Sequence, residues 1–295
     1  MFSVLIPVYN FDITRLAEDL LNQCKKESQE FEILCIDDCS KDEFKIKNRI
    51  LKNHESLFYT ELDQNIGRAK IRELLAEKAK FSNLLFLDCD VEIPNKNFIS
   101  NYLQNQNSKV IIGGIAYHKK RPKNKEYTLR WLYGTIREQR SAVERKNSKF
   151  IHFLASNLWI ERELFLSIPL QKEIQGYGHE DTWLGLQLTK QNIIIEHIEN
   201  HVYHVGLDNS IEFLKKSLSG VHNLVQLYES GNAGKDLKLI SVFEKIKQMK
   251  LLTIAQYVLH LRLKSTEDNL HSDHPQLGRF DEWKLYHFIR FYREK

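Results

Sequence analysis

The feature that most constrains this chain is the alternation, over its first 115 residues, of short apolar runs with helical patterns. Residues 2–8 are nearly all apolar, as a strand buried on both faces is. Leu16, Leu20 and Leu21 follow at helical spacing, then a strand over 31–36 and a polar helical stretch near 42–52. A short strand at 57–60, a helix over about 66–80, and strands at 84–87 and 109–115 complete the series. Such alternation predicts an α/β protein with a mainly parallel sheet flanked by helices, whose ligands sit beyond the carboxyl ends of the strands.

The residues that follow each strand therefore matter most. They are Val8-Tyr9-Asn10, Asp37-Asp38-Cys39-Ser40 and Asp88-Cys89-Asp90. An Asp after a strand can simply cap the next helix, which suffices for Asp42 and for one of Asp37 and Asp38. It does not suffice for two acidic pairs at one rim. Carboxylates at alternating positions, as in Asp88-Cys89-Asp90, can share one hard cation, Mg²⁺ or Mn²⁺, when phosphate oxygens fill the remaining positions.

A second constellation is Gly176-Tyr177-Gly178-His179-Glu180-Asp181, where Glu180 and Asp181 open an apolar helix containing Trp183, Leu184, Leu186 and Leu188. The helix dipole and free amides favour an ionised carboxylate there, so a plain N-terminal cap is one reading. The other is a general base, best suited to neutral pH if burial raises its pKa. Further on, His201 and His204 follow the β-rich run 193–198; each is a surface or core residue, or a supplementary Mn²⁺ ligand beside carboxylate and diphosphate.

Composition narrows the class. With 295 residues, 42% hydrophobic and 28% charged, the chain is long enough for a sizeable core and too apolar for disorder. Its net charge of +4 is too weak a surplus to imply nucleic acid. No segment approaches the roughly 20 apolar residues a membrane span needs, and residues 1–7 lack the basic region of a signal peptide. Cys24, Cys35, Cys39 and Cys89 are too few and too clustered for a disulfide framework and read as reduced thiols of a cytoplasmic protein. Zinc on Cys35, Cys39 and Cys89 would lack a ribbon or finger spacing.

Residues 118–125 read as a mobile basic loop, either a solvated charge run or an attractor of phosphate or an anionic acceptor. A helical stretch follows over about 127–145, β character returns at 150–160, and residues 210–264 look wholly helical. The end of the chain, 283–293, mixes aromatics with cations. Its plain reading is a docked helix; its sharper one is contact with an anionic membrane, where lipid-linked acceptors reside.

The ordered set of motifs resembles the family 2 glycosyltransferases of GT-A fold. It comprises Val4-Leu5-Ile6-Pro7-Val8-Tyr9-Asn10, Ile36-Asp37-Asp38-Cys39-Ser40-Lys41-Asp42, Asn65-Ile66-Gly67 with Arg72, Asp88-Cys89-Asp90 and Glu180-Asp181. The resemblance runs from residue 2 to about 206. The glycine-bracketed stretch also resembles an element of galactosyl- and N-acetylgalactosaminyltransferases, including bacterial chondroitin-type polymerases, with Tyr177 in place of their Trp. It implies a GT-A (Rossmann-like) catalytic domain over 1–206 and a helical C-terminal extension over 207–295 packed on it.

The resemblance further implies that Pro7, Val8 and Tyr9 line the nucleobase pocket and that Asp38 accepts from the uracil imide. Asn65, Gly67 and Arg72 would contact nucleotide and phosphate, with Arg68 a further candidate, and Asp88 would face the ribose or sugar. Asp90 and His204 would bind the metal; Asp181 would be the base of an inverting transfer, and Glu180 would orient donor or acceptor. The family's usual Ala-Arg-Asn reads Ile71-Arg72-Glu73 here, so only the Arg is matched. The Gln-x-x-Arg-Trp element of processive synthases is missing, which favours single-sugar addition.

The expected activity is thus metal-dependent transfer of a hexose or N-acetylhexosamine from a UDP-sugar to a glycan or lipid-linked acceptor in surface polysaccharide synthesis. The expected location is the cytoplasm or the inner face of the membrane. The alternative is an inactive sugar-nucleotide or glycan-binding relative within an assembly.

Overall fold

The computed structural model describes residues 1–150, 152–170 and 178–294. The chain opens with β1 (Phe2–Val8), α1 (Thr14–Cys24), β2 (Phe31–Asp37), α2 (Asp42–Asn48), β3 (Leu57–Glu61), α3 (Arg68–Lys78) and β4 (Asn83–Leu87). It continues with β5 (Val91–Glu92), α4 (Phe98–Leu103), β6 (Val110–Ile112), β7 (Ile115–Ala116), α5 (Thr128–Tyr133) and α6 (Ala142–Lys146). Then come β8 (Asn157–Glu161), α7 (Arg162–Leu166), α8 (Glu180–Lys190), β9 (Ile195–His197) and β10 (Val202–His204). Four helices close it: α9 (Ser210–Glu229), α10 (Lys238–Gln248), α11 (Leu252–Leu270) and α12 (Leu277–Arg293).

Seven strands form one sheet in the order β3-β2-β1-β4-β8-β6-β9, and every pairing is parallel except those of β8 with β4 and with β6. The mixed, mainly parallel α/β sheet agrees with the expected fold class. Alternation along β1 explains its continuous apolar run. Leu5 joins the core beneath α3 and α8, whereas Phe2, Val4, Ile6 and Val8 join the opposite core with α1 and α4. Each fully buried side chain of this kind stabilises by about 1.5–3 kcal/mol, so both faces must be covered.

Several expectations are corrected. The single strand expected at 109–115 breaks at Gly113-Gly114, with β6 in the large sheet and β7 beside β10 and β5 in a second, three-stranded sheet. Gly114 has φ +89°, and a Cβ there would lie 2.3 Å from the Arg145 guanidinium, so only glycine turns the chain between the sheets. The helix expected over 127–145 is α5 and α6 separated by a π-helical turn, Gly134–Glu138. β character at 150–160 narrows to β8. The stretch 210–264 is three helices, α9, α10 and α11, separated near Gly231 and Lys250, both at positive φ. Two helices, α4 and α7, went unpredicted because six and five residues are too few to show an apolar period.

The aromatics of the chain's end face inward. α12 buries Phe280, Trp283, Tyr286, Phe288 and Ile289, the last two within the main core. The basic loop is tied down: Arg121 donates to the Asp273 carbonyl and Lys125 lies 3.7 Å from the Asp273 carboxylate. All four cysteines are free, two of them buried.

Candidate active site

Parallel strands deliver their C-terminal ends to one rim, and β1, β2 and β4 there release Tyr9, Asp38 and Asp88 into a cavity of about 860 Å³. Because β8 runs the other way, the segment before it, 153–156, lines the same cavity, and Asp88 N–H donates to the Ser156 carbonyl (3.2 Å). Of the thirteen expected site residues, twelve line this cavity and Arg72 alone does not. Gly176 and Tyr177 lie outside the described residues.

At the β2 rim the two aspartates divide. Asp37 is fully buried, accepting from Ser40 N–H (2.7 Å) and the Tyr59 hydroxyl (2.9 Å). Asp38 accepts from the backbone N–H groups of Ile66 (2.7 Å) and Gly67 (3.0 Å) and thereby fixes the entry to α3. Both its oxygens are thus engaged by the loop that carries Asn65 and Gly67. Asn65 ties itself to the Asp38 carbonyl (3.0 Å). Tyr9 stands half-exposed at the mouth. Asp42 makes no side-chain cap; α2 begins from Lys41 without one.

The centre is a charge network that the sequence did not disclose. Arg68 reaches Asp88 (2.8 Å) and Glu180 (3.1 Å). Arg72 reaches Asp88 at 2.6 Å, Glu180 at 3.6 Å and Asp181 at 3.9 Å. Its side chain is 2% exposed, so Arg72 lies behind the carboxylates rather than against a ligand. The inward face of α3 sets the Arg72 guanidinium against three acidic side chains beneath the rim, with its Nε making no hydrogen bond to any described residue. Asp88 is held by two arginines, whereas Asp90 faces His204.

Glu180 and Asp181 stand in the first turn of α8, whose entry residue His179 adopts the left-handed conformation (φ 70°). Burial disfavours the charge of Glu180, but Arg68 and Arg72 outweigh it and hold its carboxyl below the ordinary range. Asp181 goes the other way: burial, with the neighbouring Glu180 charge, pushes it up to about 6. One oxygen accepts from Ala155 N–H (3.1 Å), while Oδ1 is buried with no hydrogen-bond partner among the described residues. Adjacent carboxylates with divergent pKa values are a pattern that acid–base catalysis uses.

On the opposite wall, Asp90 Oδ2 lies 3.2 Å from His204 Nε2. Burial acts against the Asp90 charge, and His204, Arg68 and Arg130 more than offset it, leaving the carboxyl below its ordinary value. The two side chains pair directly here, and their separation is also close to the ~3.0 Å between adjacent donors of an octahedral Mg²⁺ at ~2.1 Å. No group of three His, Cys, Asp or Glu among the described residues could hold a metal, so the remaining positions would fall to phosphate oxygens and water. The pair fits a cation shared with a substrate, and does not fit a closed structural site. A Cβ on Gly206 would lie 2.6 Å from the Asp90 carboxylate, which is why the chain after β10 carries glycine there.

Sequence reasoning missed the far wall. Arg130 pairs with Glu138 (2.9 Å) and donates to the Tyr117 hydroxyl (2.9 Å), which in turn donates to Glu138. The Tyr117 ring packs on His204 at 5.5 Å. Phe213 and Lys216 of α9 and Phe280 and Lys284 of α12 complete the lining. The only signal for this wall was an Arg and a Glu eight residues apart in an amphipathic stretch; the C-terminal helices carry no motif.

The family model of Glycosyl transferase family 2 matches residues 3–166. The chain belongs to glycosyl transferase family 2. It is a glycosyltransferase, and the motifs read at the strand ends fall largely inside the matched span. Among solved structures it is similar to the mannosyltransferase PcManGT from Pyrobaculum calidifontis in complex with GDP-Man and Mn²⁺, at 15% identity and TM-score 0.56 over 100% of this chain and 86% of that one. It is also similar to S. aureus TarS 1–349 in complex with UDP-GlcNAc, at 18% identity and TM-score 0.47 over 99% and 91%. No curated protein matches. The likeness to PcManGT shows the shared GT-A fold. No helix among the described residues is long and apolar enough to cross a membrane.

Arg72 supplies the first prediction. Arg72→Gln should move the acid limb of the rate profile to higher pH, because Arg72 is one of the charges that hold the Asp181 pKa down. Arg72→Lys, which keeps the charge, should restore most of the shift. A pH–rate profile unchanged in Arg72→Gln would separate Arg72 from Asp181.

Proposed function

We propose that this glycosyltransferase moves a hexose or N-acetylhexosamine from a UDP-sugar to a hydroxyl of a glycan or lipid-linked acceptor, with inversion and with a divalent cation, in surface polysaccharide synthesis. The observation that carries the reading is the pairing, in one cavity, of a half-buried Asp181 poised at about 6 with the Asp90–His204 donor pair. The first suits removal of a hydroxyl proton at neutral pH. When bound, the cation supplies charge neutralisation for a diphosphate leaving group.

The chain's own residues do the rest. Pro7, Val8 and Tyr9 give the base an apolar and aromatic wall, and Asp38 holds the 65–67 loop against it. Arg68, 31% exposed and on the cavity side of Asp88, is the cation that meets the diphosphate. Asp88, held by Arg68 and Arg72, offers its rim to the ribose or sugar. Asp181 takes the acceptor proton while Glu180, kept ionised by the arginines, orients the sugar. Attack opposite the departing UDP inverts the anomeric carbon. Complete carboxylates at 88, 90, 180 and 181 favour this reading over an inactive binding relative.

A thermal-shift screen with Mn²⁺ against UDP-Gal, UDP-GalNAc, UDP-Glc and UDP-GlcNAc tests it. One UDP-sugar should stabilise the chain more than UDP alone, and only with Mn²⁺ present. Stabilisation by GDP-sugars in preference to all four would overturn the nucleotide assignment. Slow hydrolysis of the preferred donor under the same conditions would separate an enzyme from a binding relative.

A further inference from the structure

Helix α11 presents an apolar stripe to solvent. Ile254 is 60% exposed, Tyr257 63%, Val258 47% and Leu261 65%. At 3.6 residues per turn these four share one face, with Arg262 and Lys264 along its two edges. The inward face is already satisfied: Ala255 and Leu259 pack on the main core and Leu263 on a smaller cluster with Phe280 and Trp283. Just before the helix, Met249 is 66% exposed and Lys250 follows it. The apolar stripe therefore has no occupant among the described residues.

Charge identifies the occupant. From Lys245 to Thr266 the sequence contains Lys245, Lys247, Lys250, Arg262 and Lys264 and not one Asp or Glu. Arg262 shares its charge with Glu282 on α12 (3.2 Å), and Lys247 turns inward to the Tyr228 hydroxyl (2.9 Å). Lys245, Lys250 and Lys264 make no ion pair with any described residue. We propose that this face of α11 is a docking surface for an anionic lipid bilayer, with Ile254, Tyr257, Val258 and Leu261 entering the headgroup boundary and the flanking cations meeting lipid phosphates.

The chemistry fits such a surface at each level. α11 is apolar on two faces, one packed inward and one exposed, and it is the exposed stripe with its basic border that meets an anionic interface, through apolar burial and charge together. Tyr257 offers the amphipathic ring suited to the interface. A second copy of the chain fits less well, because a self-complementary contact would set Lys250, Arg262 and Lys264 of one face against their counterparts, with Asp268 standing only at the far end of the stripe. The surface also replaces 283–293 as the place of membrane contact, since the aromatics of that segment are buried. It does not depend on the catalytic reading, because none of these residues lines the cavity.

Co-sedimentation of the full chain with vesicles of phosphatidylglycerol and phosphatidylcholine, against phosphatidylcholine alone, tests this. The chain should bind the anionic vesicles and leave the neutral ones, and added salt should weaken binding. Ile254→Asp with Leu261→Asp should abolish it. Lys250→Gln, Arg262→Gln and Lys264→Gln combined should weaken it by at least ~tenfold, since each basic residue near such a surface is worth about fivefold. All five positions are outside the cavity, so melting temperature and UDP-sugar hydrolysis in solution should match the unsubstituted chain. Should the aspartate variant fail to fold, the charge variant carries the test. No binding to anionic vesicles, equal binding to neutral ones, or undiminished binding by the variants would overturn the proposal. So would a solution dimer that Leu261→Asp dissolves, which would make the occupant a second copy.

Discussion

Asp181→Asn should abolish sugar transfer and leave donor affinity nearly unchanged. The substitution keeps the shape and the oxygen that accepts from Ala155 N–H, but removes the group able to take a proton. General-base help is worth typically 10²–10⁴-fold, and a loss in that range is expected in kcat with the donor still bound. The unsubstituted enzyme should show an acid limb near pH 6, because the base works only when ionised and its pKa is about 6. Below that pH the carboxyl is protonated and the rate falls. The same variant should be more stable than the unsubstituted chain at neutral pH. A carboxyl whose folded pKa lies above its ordinary value favours the fold while protonated and opposes it once ionised. Stability is therefore lost as pH rises from about 4 through 6, and the asparagine, which cannot ionise, avoids that loss. The gain should be of order 1–3 kcal/mol at pH 7.5, read from urea melts of both proteins at pH 5 and pH 7.5. Retained turnover would remove Asp181 from the base role. Turnover lost without any stability gain would mean that the buried charge is better compensated than Arg72 alone can make it.

What could be read in advance follows from the physics of each element. The rim residues Asp38, Asp88 and Asp90 were legible because parallel strands place their C-terminal ends together, so position in sequence becomes position in space. For Asp181 the residues alone leave a plain helix cap open, and the base role rests on the resemblance. The direction in which Arg72 points was not: α3 carries arginines at 68 and 72, and only packing decides which faces the cavity and which the carboxylates behind it. The π-helical turn at 134–138 was equally hidden. It changes the helical register within five residues and brings Glu138 to Arg130, a pairing that no sequence period announces. The far wall formed by α9 and α12 comes from contacts far apart in sequence, such as Tyr133 with Phe280 and Phe213 with Phe280, and carries no local signature.

Asp90→Ala should remove the expected dependence of UDP affinity on Mn²⁺. The argument rests on the shortage of protein donors. With Asp90 and His204 the only close pair of carboxylate and imidazole on this wall among the described residues, a cation there would be held jointly by protein and diphosphate. Nucleotide and metal should then bind cooperatively, each raising the other's affinity by the same factor. Removing one of two protein donors cancels most of that coupling, whereas a closed four-ligand site would retain some. Titration calorimetry of UDP with and without Mn²⁺ should show strong tightening for the unsubstituted chain and almost none for Asp90→Ala. His204→Ala should lie between them, because imidazole contributes a neutral donor and the carboxylate carries the charge that a hard cation prefers. Gly206→Ala should resemble Asp90→Ala in kind, since its new methyl would displace the carboxylate without removing it. Metal-dependent tightening that survives in Asp90→Ala would move the cation elsewhere in the cavity, and the Asp88–Arg68–Arg72 cluster is too well neutralised to be its second home.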